Sequence, residues 1–363
     1  MSVTLSGVTL RNNRASSGGG IAIRSSGTLL IQSSVISGNR AESSGGYGGG
    51  GLFVHGGASS QIRSTQIANN YSFASGGGAH FHFGTQSFSD SVIRGNTSRL
   101  AAGGGIAVYY GTLDMQRCTV IANTAHTDGG GVQLKRSYTP AGGGIENSTI
   151  SGNRSQLGLG GGVNLFNDSQ APVNFGNVTI YGNSAGDGGG IYSRFGDSRN
   201  APLGVGVLTL QSCTIAGNVA YNGGGLVSSA FGNFVVMRND IVATNVATTG
   251  ADPHPDPDME GTFDASYNLI MTVGDATVLG PPDSNITDTD PQLGPLTVNG
   301  GTTATLLPSP GSAAIDTGDP DFSAPPSADQ RGLPRVAGVH VDLGAVERQT
   351  PEDVIFRDAF ELP

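Results

Sequence analysis

Lys135 and Arg194 stand at equivalent places in a repeating chain, four residues past a run of glycines, and Asp128 and Asp187 stand immediately ahead of the same two runs. A cation that neutralises a uronate carboxylate, beside a base near the proton to be abstracted, is what a polysaccharide lyase needs. The two carboxylates would add a calcium site, so Asp128, Lys135, Asp187 and Arg194 form the candidate catalytic set of a calcium-assisted lyase. Charges scattered along a solvated strand meet in this way by coincidence, and the residues alone assign no catalytic role.

The two cations belong to a longer column. Four residues past successive glycine runs stand Arg24, His55, His82, Tyr109, Lys135, Phe166, Arg194 and Ser229, and two past them Ala22, Phe53, His80, Ala107, Gln133, Asn164, Tyr192 and Val227. In a chain of formal charge −10, neither column holds a carboxylate. Rings and cations repeated every ~4.8 Å suit stacking on sugar faces and pairing with the acidic groups of an extended glycan. Arg24, His55, His80, His82, Tyr109, Lys135, Phe166, Tyr192 and Arg194 are therefore the candidate ligand-binding residues. The loops after Lys135, Phe166 and Arg194 would wall a groove open at its His55 end. A purely structural stripe, with rings stacked to stabilise an exposed sheet, explains the same pattern. Zinc on His55, His80 and His82 is a weaker alternative, because no acidic third ligand is assured. The alternation Asp252, His254, Asp256 and Asp258 also invites a metal, yet its spacing in a proline-rich stretch matches no defined site.

These columns imply a solenoid. Asparagines at 13, 39, 70, 96, 123, 153, 183, 218 and 245 close units 26 to 35 residues long, and a glycine run opens each next unit, as at Gly129–Gly131 and Gly188–Gly190. Such a period with no helical pattern inside it predicts one coil of strands and turns per unit. One and three residues past the glycines the chain is mostly apolar, as at Ile106 and Val108 or Val163 and Leu165, which predicts a strand with one face in the core and the other in solvent. Three residues before each asparagine stands Leu10, Ile36, Ile67, Ile93, Val120, Ile150, Ile180 or Ile215, also facing inward. Five before it the residue is small, and Cys118 and Cys213 in that column read as core filler. They lie three coils, or about 14 Å, apart, too far for a disulfide. The recurrent asparagine is expected to take left-handed backbone and stack its amide on the next coil. About nine coils make a rod of about 43 Å.

Composition narrows the rest. Sixty glycines and only 13% charged residues would suit disorder, but apolar residues at fixed offsets require a packed core. Clustered Lys and Arg are missing, so nucleic acid is not an expected partner, and no stretch is apolar enough to span a membrane as a helix. The chain enters in mid-unit at Ser2-Val3-Thr4-Leu5 without a secretory leader, so the expectation is either truncation, with upstream coils missing, or a homotypic end-to-end contact at the N-terminal face.

The units, Ile-x-Gly-Asn-x-Ala and then Gly-Gly-Gly-Ile as at 180–191, resemble the repeats of right-handed parallel β-helix proteins, specifically polymorphic outer-membrane-protein repeats, over residues 1–247. Residues 248–348, with Tyr267-Asn268-Leu269-Ile270, Asp290-Pro291-Gln292-Leu293-Gly294-Pro295-Leu296, Ala314-Ile315-Asp316-Thr317-Gly318, Asp329-Gln330-Arg331-Gly332 and Asp342-Leu343-Gly344-Ala345-Val346-Glu347, resemble the bacterial choice-of-anchor Q domain. That resemblance implies presentation at the cell exterior. The region is expected to close the C-terminal end of the solenoid, with Asp316, Asp329, Arg331, Asp342 and Glu347 in an ion-pair and turn network. The tail 349–363 resembles a terminal motif of proteobacterial secreted proteins, with Ala359 where that motif has Gly. The polygalacturonase pattern has no counterpart, for the chain contains no Asp-Asp pair and no Gly-His-Gly. The expectation is an all-β parallel β-helix that is secreted or held at the bacterial surface, serves as an adhesin or structural module and binds an acidic polysaccharide. A lyase or hydrolase of the pectin-lyase-like fold is the first alternative, and a subunit stacked end to end in a fibre is the second.

Overall fold

The computed structural model describes residues 2–45, 47–136, 143–167, 171–195, 207–229, 235–248, 258–281 and 283–349. One coil shows how the chain turns. Ile106–Tyr109, Thr112–Gln116, Thr119–Ile121 and Thr124–Ala125 are its four strands, and each gives way to a single residue of left-handed backbone: Tyr110 (φ 58°), Arg117 (51°), Ala122 (54°) and then Gly129 (65°). Every strand pairs in parallel with its equivalent one coil away, as Ile106–Tyr109 with Val132–Lys135 and Thr119–Ile121 with Thr149–Ser151. The result is a right-handed parallel β-helix.

The glycine run is required by crowding. A Cβ on Gly129 would lie 2.5 Å from the Val132 carbonyl oxygen, and one on Gly131 would lie 2.6 Å from that of Gly162 in the next coil. No side chain fits there, so each coil can lie directly on its neighbour.

At the opposite corner the left-handed residue is not the recurrent asparagine. It is the residue ahead of it: Gly38, Asn69, Gly95, Ala122, Gly152, Gly182, Gly217 or Thr244. That turn aims the asparagine side chain inward. Asn123 Nδ2 donates to Asn153 Oδ1 (2.9 Å) and to the Ile93 carbonyl (2.9 Å), while its Oδ1 accepts from the backbone N–H (2.9 Å) and Nδ2 (2.9 Å) of Asn96. All four bonding positions of the amide are filled, and the pattern runs from Asn13 to Asn245. A second ladder occupies the small column, where the Cys118 N–H donates to Ser148 Oγ (3.0 Å) and that of Cys213 to Asp240 Oδ1 (2.6 Å). Both thiols are buried and free, and burial pushes that of Cys118 up to about 11. Between the ladders lies one continuous apolar core, with Ile150, Ile180 and Ile215 fully buried.

The ladder continues past Asn245 through Asp258. Asp258 Oδ1 accepts from the Asn245 N–H (3.0 Å) and Nδ2 (2.8 Å), while Oδ2 takes the N–H of Thr272 (2.7 Å). Further rungs follow: Leu269–Ile270 and Ile286–Thr287 complete an eleven-stranded sheet that begins at Thr9–Arg11, and Met259–Ser266 and Thr277–Leu279 extend the nineteen-stranded sheet that holds the first and second strands of each coil. The remainder, expected at the end of the rod, runs back along its flank. Gln330 Oε1 accepts from the Thr179 hydroxyl (2.6 Å) and its Nε2 donates to Thr149 Oγ1 (3.0 Å), the Ala345 N–H donates to Thr214 Oγ1 (2.9 Å), and Leu343 and Ala314 pack on Ile241 and Leu269. The expected polar network holds this segment together: Arg331 pairs with Asp329 (2.7 Å), Asp316 Oδ1 accepts the Val339 N–H (2.7 Å), Asp342 Oδ1 that of Asp316 (2.8 Å) and Glu347 Oε2 that of Asp342 (2.8 Å).

Replacing Asn123 by Ala strands the backbone N–H of Asn96 and one proton of its amide inside the rod. The expected loss is about 3 kcal/mol, read as a lowered denaturation midpoint, whereas exposed Gln116→Ala shifts stability by less than about 0.5 kcal/mol.

Candidate ligand-binding face

The register aligns the two first-strand columns. His80 lies between Phe53 and Ala107 in one, and His82, Tyr109, Lys135, Phe166 and Arg194 follow one another in the other. Strand alternation predicted solvent for both columns. Phe53 (1% exposed), His80 (2%), Gln133 (4%) and Asn164 (5%) are instead buried, and Tyr192 is half-buried. The cause is the glycine corner, whose first glycine lies against this column: a Cβ on Gly76 would be 2.7 Å from His80 Cβ and one on Gly103 2.6 Å from that of Ala107, and the Ser75 carbonyl lies 3.3 Å from His80 Nδ1. The outer column keeps its access, half-buried at His55, His82, Tyr109, Lys135 and Phe166 and exposed at Arg24 and Arg194.

The His55 end is an aromatic cluster. His55 and His82 stack at 4.9 Å and 13°, with Tyr47 edge-on to both (5.3 and 5.8 Å). Phe83 lies 4.3 Å and Tyr110 5.4 Å from His82, and Tyr109 packs on His80 (5.3 Å) with its hydroxyl 3.0 Å from Ser75 Oγ. Strand alternation points Phe83 and Tyr110 inward, and it missed both. Their left-handed backbone (φ 68° and 58°) turns them out. The visible signal was their position, directly after His82 and Tyr109 in successive units.

Burial governs the titration of this cluster. Desolvation drives His80 down to about 4, outweighing its bond to the Ser75 carbonyl, with small contributions from His82 and His55. His82 is lowered by desolvation and then by His55, and burial raises the Tyr109 phenol.

Farther along, Phe166 carries a cation on each side. Lys135 Nζ lies 5.3 Å and Arg194 Cζ 5.2 Å from its ring centre, each from an adjacent coil, and Arg24 sits similarly 5.4 Å from Phe53. The two aspartates of the lyase set serve the corners. Asp128 Oδ1 accepts the Leu159 N–H (3.0 Å), and Asp187 Oδ1 accepts from Asn222 Nδ2 (2.8 Å). Among the described residues no group of three or more His, Cys, Asp or Glu is arranged to hold a metal ion. Asp258 belongs to the ladder, while Asp252, His254 and Asp256, the expected groove walls at 137–142, 168–170 and 196–206, and the tail motif from Ile355 to Glu361 lie outside the described residues.

Parallel coils, an internal amide ladder and an outward stripe of rings and cations define a β-helix repeat protein. Comparison with known families agrees: residues 1–172 match the right handed beta helix region, and residues 177–194 match the Chlamydia polymorphic membrane protein repeat. No curated protein and no solved structure matches the chain.

His80 supplies a pH test. Its folded pKa lies below the ordinary 6.5, so its contribution is complete above pH 6.5 and is lost as pH falls toward 4. His80→Phe, which repeats Phe53 one coil away, removes that dependence. The stability difference between the two proteins is expected to move by about 2 kcal/mol in the variant's favour between pH 6.5 and 5, measured by thermal unfolding at both pH values.

Proposed function

We propose that this chain is an extracellular or cell-surface β-helix module, an adhesin or structural surface protein, that binds an extended acidic polysaccharide along its first-strand stripe. The observation that carries the reading is the Lys135–Phe166–Arg194 sandwich, in which two cations and a ring follow one another on successive coils. A sugar ring can lie on the Phe166 edge while carboxylates on neighbouring residues of the glycan pair with the two cations. The rung spacing of ~4.8 Å is close to the length of one sugar residue, so a chain lying across the coils meets the stripe repeatedly. The match to the polymorphic membrane protein repeat supports a place at the bacterial surface, and so does the resemblance of 248–348 to the choice-of-anchor Q domain.

Binding is tested by affinity electrophoresis in gels containing polygalacturonate, alginate or a sulfated glycosaminoglycan, with absorbance of unsaturated uronate monitored alongside. Lys135→Ala, Phe166→Ala and Arg194→Ala are each expected to weaken retention about 5-fold, corresponding to about 1 kcal/mol, and the salt dependence should fall with either lost cation. Tyr109→Ala is expected to cost stability as well, because its hydroxyl and ring are engaged by Ser75 and His80. Absence of retention in all three gels would exclude the proposal, and release of unsaturated uronate would transfer the stripe to the lyase reading.

A further inference from the structure

A second face of the rod holds a trench. The outward residues of the strands Thr85–Ser89, Thr112–Gln116, Gly143–Glu146, Val173–Gly176 and Leu208–Gln211 form two columns, Ser87-Asp114-Gly144-Asn174-Thr209 and Ser89-Gln116-Glu146-Gly176-Gln211. Along them lie two hollows of about 360 and 560 Å³ that share Glu146 and Asn174. The larger is closed on its far side by the C-terminal segment, from Pro325 to Gly332. Together they are large enough for several sugar rings.

Gly176 opens this space. The second column carries a side chain at every other described rung, from Gln32 through Arg63, Ser89, Gln116 and Glu146 to Gln211 and Arg238. Gly176 has no positive φ, and a Cβ on it would meet nothing nearer than Glu146 Cγ at 4.0 Å. Gly144 differs, since its Cβ would lie 2.3 Å from the Asn174 carbonyl oxygen. Neither conformation nor crowding requires glycine at 176, and glycine inside a strand costs about 0.5–1 kcal/mol. A strand glycine without such a reason marks a place that something approaches closely.

The lining says what approaches. Gln116 and Asn174 present amides, Gln211 reaches across to the Pro325 carbonyl (3.4 Å), and Pro325 and Pro326 present apolar ring surface on the opposite wall. Asn177, 2% exposed, donates to Asn147 Oδ1 (3.0 Å) and to the Ala328 carbonyl (2.8 Å), while its own Oδ1 is buried at the trench without a partner. The charges disfavour an anion. Arg117 is paired with Asp90 (2.6 Å) and Arg331 with Asp329 (2.7 Å), whereas Glu146, shared by both hollows, adds a carboxylate. We propose that the trench beneath the C-terminal segment is a binding site for an uncharged oligosaccharide, distinct from the cationic stripe. Amides bond the hydroxyls, the prolines take an apolar ring face, and Gly176 leaves room for a ring above the strand.

The test uses the chain in affinity gels containing a soluble β-glucan, a galactomannan, a dextran or a neutral xylan, with polygalacturonate in parallel. At least one neutral polysaccharide is expected to retain the chain. Gly176→Phe, which fills the trench, should reduce that retention at least 10-fold, and Asn174→Ala, which alters an exposed side chain, about 5-fold. Gly176→Ala adds a methyl to open space and should bind as the unaltered chain does, as should Arg194→Ala, while Gly176→Phe should leave polygalacturonate retention unchanged. Unfolding midpoints show that the variants are folded. Failure of all four neutral polysaccharides to retain the chain, or unchanged retention of both Gly176→Phe and Asn174→Ala, overturns the proposal whatever polygalacturonate does.

Discussion

The structure depends on buried amides that must find partners. An asparagine inside a protein costs several kcal/mol unless its donors and acceptors are met, and here each is met by the coil before and the coil after. From Asn39 to Asn218 the side chain is at most 1% exposed and bonded on both sides. Such an amide tolerates no slip of register, since moving by one residue would leave it unpaired and turn the neighbouring isoleucines outward. Variation in unit length is therefore confined to other places. Thr28 to Asn39, Ser59 to Asn70, Thr85 to Asn96 and Thr112 to Asn123 are spans of equal length, and the extra residues of longer units fall before the second strand or between the asparagine and the glycines.

A fixed register converts a repeating sequence into columns on the surface, and the first-strand stripe and the trench face differ in character because of it. Lys135 and Arg194 reach the same ring because they stand at one offset in units that cannot shift against each other. By the same constraint, one missing side chain at Gly176 leaves a gap with defined neighbours, Glu146 and Gln211, on either side. Cations stand beside Phe166 on one face, whereas on the other the guanidiniums of Arg117 and Arg331 are paired with Asp90 and Asp329.

Legibility in the sequence followed repetition. The ladder asparagines, inward isoleucines and glycine corners are each demanded in every coil, so their period exposes them. Corner geometry was less visible because several residue types satisfy it: Gly38, Asn69, Ala122 and Thr244 all supply the left-handed backbone. The burial of His80 was hidden for another reason, since alternation along a strand reports which face a side chain leaves by and not whether a neighbouring corner covers that face. Contacts made once carry no period at all. Nothing in the spacing connects Gln330 with Thr149 and Thr179, or Asn177 with Ala328, so the trench and its far wall were beyond reach of a repeat-based reading.

Asp258 shows how the repeat gives way to the unrepeated part. An asparagine there would present an amide N–H₂ to one of the two sides from which backbone donors arrive, those of Asn245 and Thr272. Aspartate accepts from both, and desolvation raises its pKa to about 6 despite those bonds. With that exchange the chain continues for further rungs and then returns along the flank that begins exposed at Thr9 and becomes buried from Thr149 onward. The returning segment closes that flank and walls the trench beside it. One end of the rod is thus an open β-helix that displays its aromatic cluster, while the other has a covered flank and a walled trench, and this difference arises where the ladder changes its residue.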